Sequence, residues 1–195
     1  MRDVLRPALA AVGLLTIALG LVVPLGFTGL AWLLLPHQAG GSLLAVDGRV
    51  GGSALIGQAF AAERYFHPRP SATIGPDPDS PGGTRAQPYN GAASGASNLG
   101  PSSAALLAAV RAWVALAGPA PVPADAATAS ASGLDPHISP ASALRQVPRV
   151  AAARGLPPEQ VARLVRAHTE GRELGLLGEQ RVHVLRLNLA LDAVR

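Results

Sequence analysis

The stretch PALAAVGLLTIALGLVVPLGFTGLAWLLL, residues 7–35, decides the architecture, because it holds no Asp, Glu, Lys or Arg and is dominated by Leu, Val, Ala, Ile and Gly. A bilayer core takes about 20 such residues as a helix, so the run is long enough to span it. Pro24 and Gly26 near its middle would be awkward in an exposed soluble helix, whereas transmembrane helices tolerate both. Trp32 lies near the far end, where an aromatic ring favours the interface. A cleaved signal peptide is the competing reading, but its apolar core runs only about 7–15 residues before a small-residue site. This core is longer, and PHQAGG at 36–41 is a poor cleavage site. The expectation is a retained transmembrane helix over 8–35 behind a short cytoplasmic end, 1–7.

Charge sets the expected orientation. Arg2 and Arg6 precede the span, and no Lys or Arg follows it until Arg49, so the N-terminus should stay in the cytoplasm and residues 36–195 should lie outside. That remainder is long enough for one domain with a real core. There is no cysteine, so it folds without disulfides. The formal net charge is +4, and all 16 Lys and Arg residues are arginines. They are spread along the chain rather than gathered in a stripe with interleaved aromatics, which argues against nucleic acid as a partner.

The local signals predict a mixed, α+β domain. Residues 53–60 form a short apolar run compatible with a strand or a packed turn. Ser102 or Ser103 caps a helix through about Leu116, with Leu106, Val110, Trp113 and Ala117 on one face and Gly118-Pro119 ending it. PAPVPADA, 119–126, should be extended. In TASASGLDPHISPASALRQVPRVAAARGL, 128–156, Asp135 before Pro136 can close an Asx turn. Ser139 sits where an N-cap belongs, with Pro140 at the first helical position. Pro148 should break or kink that helix, and Gly155 should close it. Pro157 and Pro158 start another helix, with Val161, Leu164, Val165 and His168 inward and Arg163 and Arg166 outward. Val182, Val184 and Leu185 read as a strand, and Leu187, Ala190, Leu191 and Val194 as a final short helix.

Several chemistries are excluded outright. A chain without lysine cannot carry a Walker A loop or a Schiff-base lysine. The five histidines are scattered, none at ligand spacing with another, so no metal site is expected. Asp135, His137, Ser130, Ser132 and Ser139 invite a hydrolase reading, but no GxSxG elbow accompanies them and a hydrogen-bonded turn accounts for the same residues. No catalytic residue is expected. SGASNLG, 94–100, is a small-residue loop before a helix, and Ser94, Gly95, Ser97 and Asn98 are its candidate anion or nucleotide contacts through free backbone amides. Because those residues include no basic side chain to hold a phosphate, an ordinary capped loop, or a flat surface for a partner, is the favoured alternative. Tyr65, Phe66, His67 and Arg69 form the one aromatic-rich charged cluster and are the candidate partner contacts, since interface centres favour aromatics and arginine. The alternative is a core corner with Arg69 bridging loop carbonyls. Gln58, Asn98 and Asn188, polar groups in apolar settings, are expected to satisfy backbone.

The 128–156 run also resembles one family, the C subunit of the bacterial potassium-transporting P-type ATPase, KdpC. LRPAL (5–9), GSALIGQAF (52–60), YFHPRPSA (65–72), YNGAASGASNLGPSS (89–103) and VHVLRLNLALD (182–192) resemble the same family in the same order. Pro68 stands where that family has glycine, and IGPDPDSPGGTRAQ, 74–87, is a longer connection than the family's. The resemblance implies an accessory subunit of a high-affinity potassium pump in the cell membrane. Its partners would be a channel-like potassium-binding subunit, an ATP-hydrolysing subunit and a small single-helix subunit, besides membrane lipid. It implies no covalently bound cofactor. A role in raising the ATP affinity of the hydrolysing subunit is proposed for the family, but an external domain would not meet cytoplasmic nucleotide. Assembly, and shaping of the external potassium entrance, is the reading that fits the topology. A membrane-anchored external enzyme or a surface-ligand binding module would be the alternatives, and an enzyme would need convergent polar groups in a pocket.

Overall fold

The apolar stretch forms the expected helix, with one irregularity that its sequence explains. In the computed structural model, which describes residues 2–46, 48–119 and 121–194 and the side chains from Val4 onward, α1 (Arg2–Ile17) passes through a π turn (Ala18–Val22) into α2 (Val23–Leu34). Proline has no N–H, and its ring crowds the carbonyl four residues earlier. The wider turn falls directly before Pro24, and the Thr28 hydroxyl donates to the Pro24 carbonyl at 2.8 Å. The 31 residues Val4–Leu34 are apolar enough to cross a membrane, and their most apolar window has no buried residue. Side chains exposed on every face suit lipid as the surrounding solvent. Met1 of the expected cytoplasmic end, Ala120 of the expected linker and Arg195 at the end of the expected domain lie outside the described residues, as does Asp47.

The chain divides into two compact units, 1–51 and 52–195, whereas the sequence boundary follows the helix end at 35. The first unit continues from α2 through one short turn, α3 (Pro36–Ala39), into a hairpin of β1 (Leu43–Val46) and β2 (Arg49–Ser53). That hairpin has no counterpart in the sequence reading. Residues 54–60 are turns and irregular chain, so the packed-turn option holds for the 53–60 run.

The second unit is built on three helices and a small sheet. Residues 74–87, the longer connection, fold into a hairpin of β3 (Ile74–Pro76) and β4 (Thr84–Ala86), with Ile74 opposite Ala86. Ser103 caps α4 (Ala104–Ala117) through its side chain, and Gly118 ends it, as the signals predict. No residue of α4 is fully buried, so its predicted stripe is only half covered. The 119–126 linker is not extended throughout, because α5 (Ala124–Ala127) forms a helical turn. Asp125 on that turn accepts both the Ser139 N–H at 2.7 Å and its hydroxyl at 2.9 Å, which fastens the linker to the next helix start.

After β5 (His137–Ile138), the Ser139 side chain accepts the Ser142 N–H and caps α6 (Pro140–Arg154). This helix runs unbroken through Pro148, so of the predicted break or kink the break does not occur. The carbonyl that Pro148 leaves without a helical partner belongs to Leu144, and both residues are exposed, so the helix can continue without pairing it inside the protein. Gly155, at φ 65°, closes the helix in the left-handed conformation. Then come α7 (Pro158–Ala167), β6 (Thr169–Glu170), β7 (Arg181–His183) and α8 (Val184–Asp192). The sheet order is β5-β7-β6, all antiparallel. Val184 and Leu185 belong to α8 rather than to the predicted strand, because His183 caps the helix through its side chain. Val147 and Val150 of α6, Val161 and Val165 of α7, and Leu187 and Leu191 of α8 meet in one core with Phe66. Burial of each such side chain contributes roughly 1.5–3 kcal/mol relative to exposure.

Candidate functional site

The segment from Glu63 to His67 is neither helix nor strand, so its backbone groups need partners from elsewhere. Two side-chain amides supply them. Asn188 on α8 accepts the Phe66 N–H at 2.8 Å and donates to the Phe66 carbonyl at 3.0 Å. Gln146 on α6 does the same for His67, at 2.7 and 3.0 Å. A primary amide carries donor and acceptor side by side, so each stands in for one residue of a neighbouring strand. Arginines hold the remaining carbonyls. Arg149 donates to those of Glu63 and Tyr65 at 2.6 and 2.9 Å, and Arg154 to that of Arg64 at 2.8 Å. Arg149 also donates to Gln146 at 2.7 Å, three residues away on the same helix face.

This geometry divides the predicted cluster. Phe66 is 0% exposed and sits in the core, which corrects its assignment as a contact residue: a side chain with no surface offers nothing to a partner. Tyr65 is half-buried, its hydroxyl donating to Asp192 at 3.1 Å and its ring lying under the Arg154 guanidinium at 5.1 Å. His67 is also half-buried; burial first, and Arg149 second, push its pKa down. Arg69 turns the other way, to Asp135 at 3.1 Å and the Ala129 carbonyl at 3.5 Å, so it bridges distant chain as the core-corner alternative has it. His67 and Arg69 line a groove of about 740 Å³ together with Tyr89, Trp113 and Leu116.

Asp135 closes the predicted Asx turn, accepting the His137 N–H at 3.0 Å. Burial alone would push its carboxyl up, but the His137 and Arg69 contacts outweigh it and hold the carboxyl below its usual value. The His137 ring meets the His183 ring edge-on at 5.1 Å. Burial, with His137 adding to it, lowers the pKa of His183, whose Nε2 lies 2.9 Å from the Ala54 carbonyl and whose Nδ1 accepts the Arg186 N–H. Those two contacts fit a neutral imidazole with the proton on Nε2. The Tyr89 hydroxyl donates to the Arg69 carbonyl, and burial pushes its pKa up.

The small-residue loop docks on the turn that contains Gly133. The Ser94 hydroxyl and the Gly95 N–H both donate to the Ser132 carbonyl, at 3.0 and 2.9 Å, so neither is available to an anion. Ser97 and Asn98 are exposed, and α4 starts only at Ala104. Gly133 lies at φ +66°, and a Cβ there would come within 2.5 Å of the Thr73 side chain. Only glycine permits this close approach.

The hydrolase reading fails on geometry. Ser139 is engaged by Asp125 and Ser142, the Ser132 side chain accepts the Leu134 N–H, and no described hydrogen bond joins a serine hydroxyl to His137. Among the described residues no group of three or more potential ligands could hold a metal. Sequence reasoning found Asn188 as a backbone-satisfying residue but missed Gln146, Arg149 and Arg154. Their signal was weak: polar residues at helical spacing read as an ordinary solvated face.

Comparison with known proteins gives a full-length match. Residues 5–193 match the KdpC family, described as "K+-transporting ATPase, c chain". The potassium-transporting ATPase KdpC subunit of Methylobacterium nodulans is 56% identical over 192 residues, which cover 96% of each chain. That of Rhodopseudomonas palustris BisB5 is 56% identical over 193 residues, covering 97% of this chain and 96% of the relative. The corresponding subunit of Bradyrhizobium diazoefficiens is 55% identical over 192 residues, 96% of each. With such identity sustained from the membrane-length helix to the last helix, the chain belongs to the KdpC family of potassium-transporting ATPase subunits.

Proposed function

We propose that this chain is a non-hydrolysing accessory subunit of an ATP-driven potassium uptake pump, anchored by its N-terminal helix with the 52–195 unit outside the cytoplasm. The observation that carries the reading is the family match over residues 5–193. A chain without lysine cannot carry the Asp-Lys-Thr-Gly phosphorylation sequence that the resemblance places in the pump's catalytic subunit, so hydrolysis is left to another subunit. Arg2 and Arg6 before the apolar span support the orientation. In this reading the chain assembles with the channel-like potassium-binding subunit, the ATP-hydrolysing subunit and the small single-helix subunit, and it shapes the external potassium entrance. The exposed parts of Tyr65, His67 and Arg69 contact a partner, with Phe66 supporting them from the core. ATP acts on the hydrolysing subunit, and Ser97 and Asn98 bind none.

The test is to omit this chain when the other pump subunits are co-expressed and to measure both their co-purification and potassium uptake. Assembly and uptake should fall together. Unchanged uptake would overturn the accessory role. In the same cells, a reporter active only outside the cytoplasm and fused after Arg195 should be active. Saturable ATP binding by the full chain in micelles, lost in Ser97→Ala/Asn98→Ala, would instead establish a nucleotide loop.

A further inference from the structure

The connection between β6 and β7 holds three leucines away from the domain: Leu174 is 90% exposed, Leu176 81% and Leu177 62%. The tip is no loose loop. Glu173 and Leu177 exchange both backbone hydrogen bonds at 2.9 Å, and the Leu176 N–H donates to the Glu173 carbonyl at 3.0 Å. Leu174 and Gly175 are the central residues of that turn, at φ 53° and 76°. Such a turn favours Asn-Gly, because an L side chain is disfavoured in the left-handed region. A bulky leucine therefore stands at a position that disfavours it both by backbone strain and by exposure to water. Strain and apolar exposure kept at one place mark a surface that is covered in use.

The charges below the tip indicate what covers it. Arg172 pairs with Glu179 at 2.7 Å, Arg181 with Glu170 at 3.1 Å and Glu173 at 2.5 Å, and Arg186 with Glu170 at 3.4 Å. These three arginines and three glutamates sum to zero, so burying the neck strands no unpaired charge. The two most exposed charges are acidic: the Glu179 and Glu173 side chains are 81% and 65% exposed, against 51%, 46% and 31% for Arg186, Arg172 and Arg181 and 33% for Glu170. Carboxylates beside the leucines repel anionic headgroups. They complement an apolar protein pocket with a rim of cations or hydrogen-bond donors.

We infer that the Leu174–Leu176–Leu177 tip is an assembly anchor that inserts into an apolar, basic-rimmed pocket of another subunit of the pump. The inference rests on the accessory-subunit reading above. The variants are Leu174→Asn, which suits the left-handed position, and the pair Leu176→Ser/Leu177→Ser, each made in the full chain and co-expressed with the remaining pump subunits. Both should lower co-purification of those subunits at least tenfold. The melting temperature of the purified full chain should stay within a few degrees for the double variant and stay level or rise for Leu174→Asn. Co-purification at the wild-type level by both variants overturns the anchor while leaving the accessory role intact; failure of the wild-type chain to co-purify overturns both. A large fall in melting temperature for Leu174→Asn also overturns it, since the leucine would then be structural. A third variant, Leu176→Trp, separates protein from lipid. Its added fluorescence should shift to the blue only in the assembled complex and escape quenching by brominated lipid, whereas quenching for the chain alone in liposomes would assign the tip to the bilayer.

Discussion

Residues 63–67 and the hairpin 170–181 solve opposite problems. In the first, the backbone is irregular and side chains from α6 and α8 complete its hydrogen bonding, so that Phe66 disappears into the core. In the second, the backbone of the 172–177 tip pairs with itself and three leucines stand in solvent. The cluster richest in aromatics and charge thus has its backbone and Phe66 built into the framework, whereas a plain run of Leu and Gly carries exposed side chains. Residue type alone does not tell that Phe66 is buried and that the leucines are exposed. What separates them is where the hydrogen-bond donors and acceptors end.

If the 63–67 segment is framework, the largest effect should come from Asn188→Ala, which leaves the buried N–H and C=O of Phe66 unpaired. At about 1–3 kcal/mol for each stranded group, a loss of about 3 kcal/mol or more is expected in denaturant unfolding of the full chain in micelles. A loss below about 0.5 kcal/mol would mean that water or a neighbour replaces the amide, and the contrast between the two regions would weaken. Gln146→Ala tests the half-buried companion clamp. Water reaches His67 more readily than Phe66, so the expected loss is smaller, about 1–2 kcal/mol. If it exceeded the Asn188→Ala loss, the anchoring point of the segment would be α6 rather than α8.

Protonation acts on the framework and spares the tip. The pKa of His183 is lowered from 6.5, chiefly by burial, so the folded state resists the proton that the unfolded state accepts. Its contribution to stability is therefore complete above about pH 6.5 and is lost as the pH falls toward the lowered folded pKa. The slope is at most about 1.4 kcal/mol per pH unit for one proton. Asp135 adds to the loss further down, because its carboxyl is held below 3.8 in the folded state and must be protonated on acid unfolding. In His183→Asn, which keeps a capping side chain, the slope between pH 6.5 and 5 should flatten; an unchanged slope would move the titration to another histidine. The smallest effect belongs to the tip, where Leu176→Ser should change the stability of the full chain by less than about 0.5 kcal/mol. A loss of 2 kcal/mol would show that the leucines pack within the chain.

Much of the scaffold was legible before the fold was known. Ser103 and Ser139 cap the helices they were expected to cap, Gly155 ends α6 in the left-handed region, and Asp135 closes its Asx turn. Each of these depends on groups a few residues apart. The errors share the opposite property. Pro148 does not break α6, because the carbonyl it frees belongs to an exposed residue, and the strand expected at Val184 turns into a helix because the His183 side chain caps it. Composition singles out the cluster at 65–69, but Phe66 and Asn188 are 122 residues apart, and no local pattern announces their pairing.

By itself, then, the sequence determined the membrane-length helix, the capped starts and glycine ends of α4 and α6, the absence of lysine chemistry and the family, because these follow from local hydrophobicity, capping chemistry and residue order. Tertiary structure alone decided which polar side chains finish the backbone of 63–67, that Phe66 is buried while Leu174 is exposed, and that two carboxylates beside the leucine tip are the most exposed of its charges. Those outcomes depend on helices brought together from distant parts of the chain, since burial and hydrogen-bond completion are properties of the packed whole.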